Sequence, residues 1–359
     1  MNKRKFKVLF LTKYPEEGAS SRYRVYQYLP HFKQIEHKSQ SLLSEAGFKL
    51  LYQKGKLPQK IWTSLRDYLR RTFFILRNLD ADLIYMQREV FAFGPLWIER
   101  LLKLKRKKLV FDLDDALFIN KQNHNHPLKW DKASRVKKII RKVDLVVAGN
   151  PWIKEECLKL GAARSEHIDV AEQIQEPIKQ ESPARGPLLA LWLGSPTTCK
   201  YLRLIETALK TAQDQFPLEI YIVGGDSGMN FSFDHKLMEW TKEQEQHYLS
   251  ICDVGLMPLP MESWSQGKCG GKARTYMASG VVPIVSDIGY NRHLIKEGER
   301  GFLCREDSDW IEALSQLHHN RDLIVQMRAT NYDLVREAFD QEKIALQLET
   351  TIISCLTHE

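Results

Sequence analysis

Apolar side chains along this chain alternate between two rhythms. Near-continuous apolar runs recur at 5–12 (KFKVLFLT), 81–87 (ADLIYMQ), 108–113 (KLVFDL) and 143–148 (VDLVVA), then again at 188–193, 218–223, 253–260 and 281–285. Runs of this kind predict strands buried on both faces, as in a parallel sheet. Between them lie stretches of helical spacing: from about Arg22, near 94–105 and 131–142, up to Leu160, then 200–216, 241–250, 272–279, 310–317, 322–338 and 341–355. The alternation predicts α/β architecture, given twice. Residues 174–187 break every periodicity and contain Pro177, Pro183 and Pro187, which marks a linker. The expected division is 1–175, a linker at 176–187, a second domain at 188–338, and a closing segment at 339–359.

One segment departs from this plan. From Phe48 to Leu79 the chain is basic and apolar at once, with Ile61, Leu65, Leu69, Phe73 and Leu76 at helical spacing and Lys60, Arg66, Arg70, Arg71 and Arg77 among them. Such a stripe is either the core face of a packed helix or a basic amphipathic surface for an anionic membrane.

Charge sharpens the contrast between the two ends. Residues 1–110 hold 24 Lys+Arg against 9 Asp+Glu, a net of +15, so the rest of the 359 residues sums to −7. These basic residues lack the interleaved aromatics of nucleic-acid modules, and an acidic second half repels phosphate backbones, so no nucleic-acid partner is expected. The cysteines (157, 199, 252, 269, 304, 355) form no CxxC pair and no zinc spacing with histidine, which fits reduced thiols in the cytoplasm. The apolar run 8–11 is too short for a signal peptide, and no spanning segment is apparent. His124 and His126, two apart in a polar loop, read as surface residues.

The densest chemistry lies at 264–291, WSQGKCGGKARTYMASGVVPIVSDIGYN. Gly267, Gly270 and Gly271 loosen the backbone before a short helix from Lys272, and Gly280 stops that helix before a buried strand. A helix start offers unpaired N–H groups and a positive dipole end, and Lys268 and Lys272 add full charge. The pattern suits a diphosphate cradle; it also suits an ordinary helix–strand connection with solvated lysines.

In the first half, the loop after the first strand contains Gly18, Arg22 and Arg24. Such loops commonly face a ligand crevice, so these are candidate phosphate or acceptor contacts, or else plain surface residues. The strand at 108–113 runs into Asp112-Leu-Asp-Asp115. A metal-binding Asp-x-Asp is one reading. Asp114 and Asp115 are assigned instead to the acceptor side, orienting or deprotonating an acceptor hydroxyl; a structural role is the alternative.

The strings DVGLMPLP, GKCGGK, TYMASGVVPIVSDIGYN and GFLC, together with LWLGSPTT at 191–198, resemble the signature of the retaining GT-B glycosyltransferases of family 4, also called glycosyltransferases group 1. The resemblance is strongest between 188 and 315. It implies two Rossmann-like domains facing across a cleft, with the closing helix returning to the first domain. It also implies transfer of a sugar from a nucleotide-sugar donor to a glycan or lipid-linked acceptor with retention of configuration, in surface polysaccharide or glycan biosynthesis. On this basis the donor site comprises Gly194, Ser195, Lys200, Gly224, Gly225, Lys268, Gly270, Gly271, Lys272 and Thr275, with Lys272 also catalytic. Protein cations then neutralise the leaving diphosphate, and no metal or other cofactor is expected. Where the family carries two glutamates eight positions apart, this chain has Gly267 and Thr275. A non-catalytic nucleotide-sugar or glycan-binding relative is therefore the alternative. The place of action follows as the cytoplasm, with peripheral contact at the inner membrane face as an extension.

Overall fold

The computed structural model describes residues 5–51, 53, 55–91, 96–119, 131–176, 179 and 186–357. His124, His126 and most of 176–187 lie outside that set. The chain forms two compact units, one of Met1–Ala171 with Gln341–Glu359 and one of Glu172–Asp340.

Unit 1 contains β1 (Phe6–Thr12), β2 (Ile35–Ser41), β3 (Leu83–Gln87), β4 (Lys108–Leu113), β5 (Leu145–Ala148) and β6 (Ser165–His167). They pair in parallel in the order β2-β1-β3-β4-β5-β6. Val8, Phe10, Tyr85, Val110 and Val147 give one face of the sheet its core, completed by Ile344, Leu348, Ile352 and Cys355 of helix Gln341–Thr357. The buried Glu349 of that helix accepts from the backbone N–H groups of Gln34 (2.6 Å) and Ile35 (3.0 Å). The buried Ile35 donor at the entry of β2 would otherwise lack a partner.

Unit 2 repeats the plan with β7 (Leu188–Leu193), β8 (Leu218–Val223), β9 (Lys236–Met238), β10 (Val254–Met257), β11 (Val282–Ser286) and β12 (Phe302–Cys304), ordered β12-β11-β10-β7-β8-β9 and parallel throughout. Its two faces carry separate cores, one around Trp192, Ile220 and Trp310 and one around Leu191, Tyr276 and Val285. In each unit the strand order reverses beside the first strand, between β1 and β3 and between β7 and β10. Ligands of open α/β sheets bind outside the carboxyl ends of strands at such a reversal.

Helix Leu57–Arg77 is amphipathic in the opposite sense from a core helix. Its inward side is Asp67, Arg71 and Ile75. Asp67 accepts from the N–H of Ser44 (2.9 Å), and the Arg71 guanidinium donates to the carbonyls of Thr12 (2.6 Å) and Gln40 (2.8 Å), tying the ends of β1 and β2 together. The apolar positions predicted by spacing therefore face outward, and the core-face reading of the stripe does not hold. Among the described residues, no helix is long and apolar enough to cross a membrane.

Candidate functional site

Helix Gly271–Ala278 is pinned over the ends of β7 and β10 by one side chain. Tyr276 accepts from the N–H of Leu193 (3.1 Å) and donates to the carbonyl of Leu256 (3.3 Å). Its ring fits because position 255 is glycine: a Cβ there would stand 2.4 Å from ring carbons. Gly270 caps the helix with φ +66°, a left-handed conformation that favours glycine. Gly271 is exposed, and nothing lies within 4 Å of where its Cβ would be. The first-turn N–H groups, which have no partner within the helix, thus begin at an open position beside the strand reversal.

Lys272 leans back over the indole of Trp192, with Nζ 4.4 Å from the ring centroid. It reaches Gly194, the residue after β7, where a Cβ would stand 2.9 Å from Nζ and 2.3 Å from the Trp192 ring. Gly224, at φ +77°, lies against Gly194 in turn, since a Cβ there would meet the Gly194 carbonyl oxygen at 2.3 Å. Gly225 packs on Ile222, Leu237 and Cys199. Burial, helped by the charge of Lys268 and opposed by Cys199, lowers the Lys272 amine to about 7. Lys268 stands over the Trp264 ring at 3.8 Å. An anion placed beside this amine would raise its affinity for the proton again.

The structure therefore gathers Gly194, Gly224, Gly225, Gly270, Gly271, Lys268 and Lys272 around the β7–β10 reversal. Ser195 caps the short helix Pro196–Cys199, with its hydroxyl 3.0 Å from that of Thr197 and 3.3 Å from that of Thr198. Lys200 is exposed, its ammonium 5.7 Å from the centroid of the Tyr201 ring. Thr275, three residues after Lys272 on one helix face, donates to Glu172 (3.1 Å). Trp192, Cys199 and Glu172 are not among the site residues the sequence suggests: Trp192 lies in a buried strand run, Cys199 reads only as a reduced thiol, and nothing in the sequence near Glu172 ties it to position 275.

In unit 1 the ends of β1, β3 and β4 converge. Arg88, held at φ +65°, donates to both oxygens of Asp114 (3.0 Å each) and to Asp115 (3.2 Å). Asp114 also accepts a short hydrogen bond from the hydroxyl of Ser20. Burial works to raise the Asp114 carboxyl, but the charge and hydrogen bonds of Arg88, with that of Ser20, outweigh it and hold the group at about 2. A carboxylate this acidic is a poor proton acceptor near neutrality. In this structure its geometry fixes Arg88.

Gly18 caps helix Ala19–Arg24, packed so closely that a Cβ would stand 2.3 Å from that of Tyr14. Arg22 stacks on Tyr23 (5.1 Å) and remains partly exposed. Arg24 does not take the expected ligand-facing position. It is buried, with Nε donating to Asp112 (2.9 Å) and a terminal nitrogen donating to the Ile168 carbonyl (2.8 Å), while Tyr85 donates to the same Asp112 (2.6 Å). A buried carboxylate needs such a counterion, and Arg24 supplies it.

Residues 190–320 match the family model described as Glycosyl transferases group 1. No curated protein matches the chain. Among solved structures, Anabaena HepE in complex with UDP-glucose aligns with a TM-score of 0.70 at 15% identity, covering 97% of this chain and 99% of that one. Sucrose-phosphate synthase from Thermosynechococcus elongatus aligns at 0.69 and 12%, covering 98% and 99%. A glycosyltransferase from Rickettsia africae aligns at 0.68 and 14%, covering 99% and 100%. The chain has the GT-B fold, two Rossmann-like domains, and its second unit carries the sequence pattern of the glycosyl transferases group 1.

Proposed function

We propose that this chain, a GT-B protein with a glycosyl transferases group 1 match in its second unit, transfers a sugar from a nucleotide-sugar donor to a glycan or lipid-linked acceptor. Unit 2 takes the donor. The observation that carries the reading is the Lys272 amine, lowered to about 7 and set against Gly194 beside a glycine-opened helix start. As the bond between sugar and phosphate breaks, negative charge collects on the departing diphosphate. A protonated Lys272 and the first N–H groups of helix Gly271–Ala278 are already oriented to receive it, which is the form of electrostatic stabilisation that lowers such barriers most. No metal or further cofactor enters this scheme.

The acceptor is assigned to unit 1, where Arg88, fixed by Asp114 and Asp115, offers a cation at the ends of β3 and β4. Gly267 and Thr275 supply no carboxylate nucleophile, so a route through a covalent glycosyl-enzyme has no residue at those positions. Transfer with retention then proceeds by departure and attack on the same face of the sugar, and the setting is surface polysaccharide or glycan biosynthesis in the cytoplasm.

A non-catalytic donor-binding relative is the second reading, favoured by those same two positions. Calorimetry with UDP-glucose, followed by measurement of donor hydrolysis and transfer, separates the two. Binding with turnover supports the transferase, and binding with none supports the second reading. Failure of every nucleotide sugar tried to bind would overturn both.

A further inference from the structure

The outward face of helix Leu57–Arg77 has no role in the chemistry above. Ile61, Trp62, Leu65, Leu69, Phe73 and Leu76 are each between 44% and 69% exposed. Monomeric soluble proteins rarely leave so many large apolar side chains in one row, and such rows mark interaction surfaces. The inward bonds of Asp67 and Arg71 to backbone groups fix this orientation, so the helix cannot simply roll its apolar side into the core.

Cations border the row. Arg77 stacks on the exposed Phe73 ring at 4.0 Å. Arg66 is 56% exposed at its side chain while donating to the Ser44 hydroxyl, and Arg70 is 39% exposed while donating to the Ser41 and Leu42 carbonyls. The one acid on this helix, Asp67, is buried on the opposite side. Behind the row the buried Phe91 ring stacks between Tyr68 (3.8 Å) and the partly exposed Trp97 (6.4 Å).

We propose that this face docks on an anionic lipid bilayer, the helix lying in the interface plane with its apolar row among the acyl chains and Arg66, Arg70 and Arg77 at the headgroups. Charge selects this occupant: the apolar row is flanked by cations and the segment 1–110 carries a net of +15. A second copy seated symmetrically on the same face would bring identical arginine rows together. A basic amphipathic helix with an exposed tryptophan on its apolar row also has the form of monotopic membrane anchors.

The test is co-sedimentation of the full chain with phosphatidylcholine vesicles, with and without phosphatidylglycerol, at low and high salt. The expected result is binding to anionic vesicles that weakens with salt. Arg66→Gln with Arg77→Gln should weaken it about fivefold per residue, and Leu65→Ser with Leu69→Ser should weaken it by at least about tenfold. Quenching of the native chain's tryptophan fluorescence by brominated lipid, reduced in Trp62→Phe, reads insertion of this face, even where another variant fails to fold. UDP-glucose binding, measured in parallel, should be unchanged in all variants, because this inference does not rest on the transfer reading. Indifference of the native chain to lipid charge, absence of quenching, or a solution dimer abolished by the serine pair would each overturn it.

Discussion

Replacing Lys272 by Met keeps an unbranched side chain over Trp192 but removes the amine, and its effect should depend on pH in a defined way. An amine titrating near 7 is about three-quarters protonated at pH 6.5 and about 3% protonated at pH 8.5. If only the charged form grips the diphosphate, native affinity for UDP-glucose falls roughly twentyfold across that span. The probe is apt because both of its phosphates are esterified and do not titrate in this range. At pH 6.5 the Met variant should bind more weakly by about 1.5–3 kcal/mol, the range for a hydrogen bond to a charged group. Its affinity should stay flat with pH. The ligand-free protein gives an opposite sign. The folded value of about 7 lies below the ordinary 10.5, so the native chain binds fewer protons than the unfolded chain between those limits, and this site's contribution to stability rises with pH through that window. At pH 6–7 the folded state carries the full penalty of a desolvated charge, so Lys272→Met should raise the melting temperature there, by about 2–4 °C for each kcal/mol relieved. Titration calorimetry and thermal melts at both pH values decide it. Equal affinities for native and variant, or a native affinity that ignores pH, would refute the reasoning.

Three further outcomes are expected. Asp112→Asn leaves the Arg24 charge buried without its counterion, and denaturant melts should show a loss of about 3–5 kcal/mol, with UDP-glucose binding retained in the fraction that folds. Gly194→Ala drives a methyl into the Trp192 ring and toward Lys272; strain of about 1–3 kcal/mol should appear in melts together with weakened donor affinity, whereas Gly271→Ala, where space is open, should cost little stability. Glycosyl transfer, once an acceptor is in hand, should persist in excess EDTA, and a loss restored by a divalent ion would place a metal in the mechanism.

The strands read from apolar runs became β1, β3, β4, β5, β7, β8, β10 and β11, because a strand buried on both faces writes its burial directly into composition. The four that went unread, β2, β6, β9 and β12, are the sheet edges: polar side chains break β2 and β6, while β9 and β12 are three residues long, too short for a run to detect. Helical spacing at 61–76 was visible, but periodicity states only that residues share a face. Which way the face turned was decided by Asp67 and Arg71, through backbone partners far away in sequence. The same limit explains the site. Lys268 and Lys272 drew notice because lysine beside a glycine-rich helix start carries a chemical signal, and Gly194 came from the family resemblance. Arg88 and Glu172 were not, since their partners lie 26 and 103 positions away. Arg24 sat in a promising loop, yet the buried carboxylate of Asp112 on β4, 88 positions away, claimed it.

The helix Gln341–Thr357 has a consequence for how the protein is made. Unit 1 is missing Leu348, Ile352 and Cys355 from its core, and Glu349 from the entry of β2, until the whole of Glu172–Asp340 has been synthesised. A ribosome works from the amino end, and domains generally fold as units when their last residues emerge. The second unit, one continuous segment, can close its core while the first still waits for its final helix. Stop codons or nicks just after 340 should therefore spare the later-made unit and cripple the earlier one, the reverse of what chain order alone would suggest.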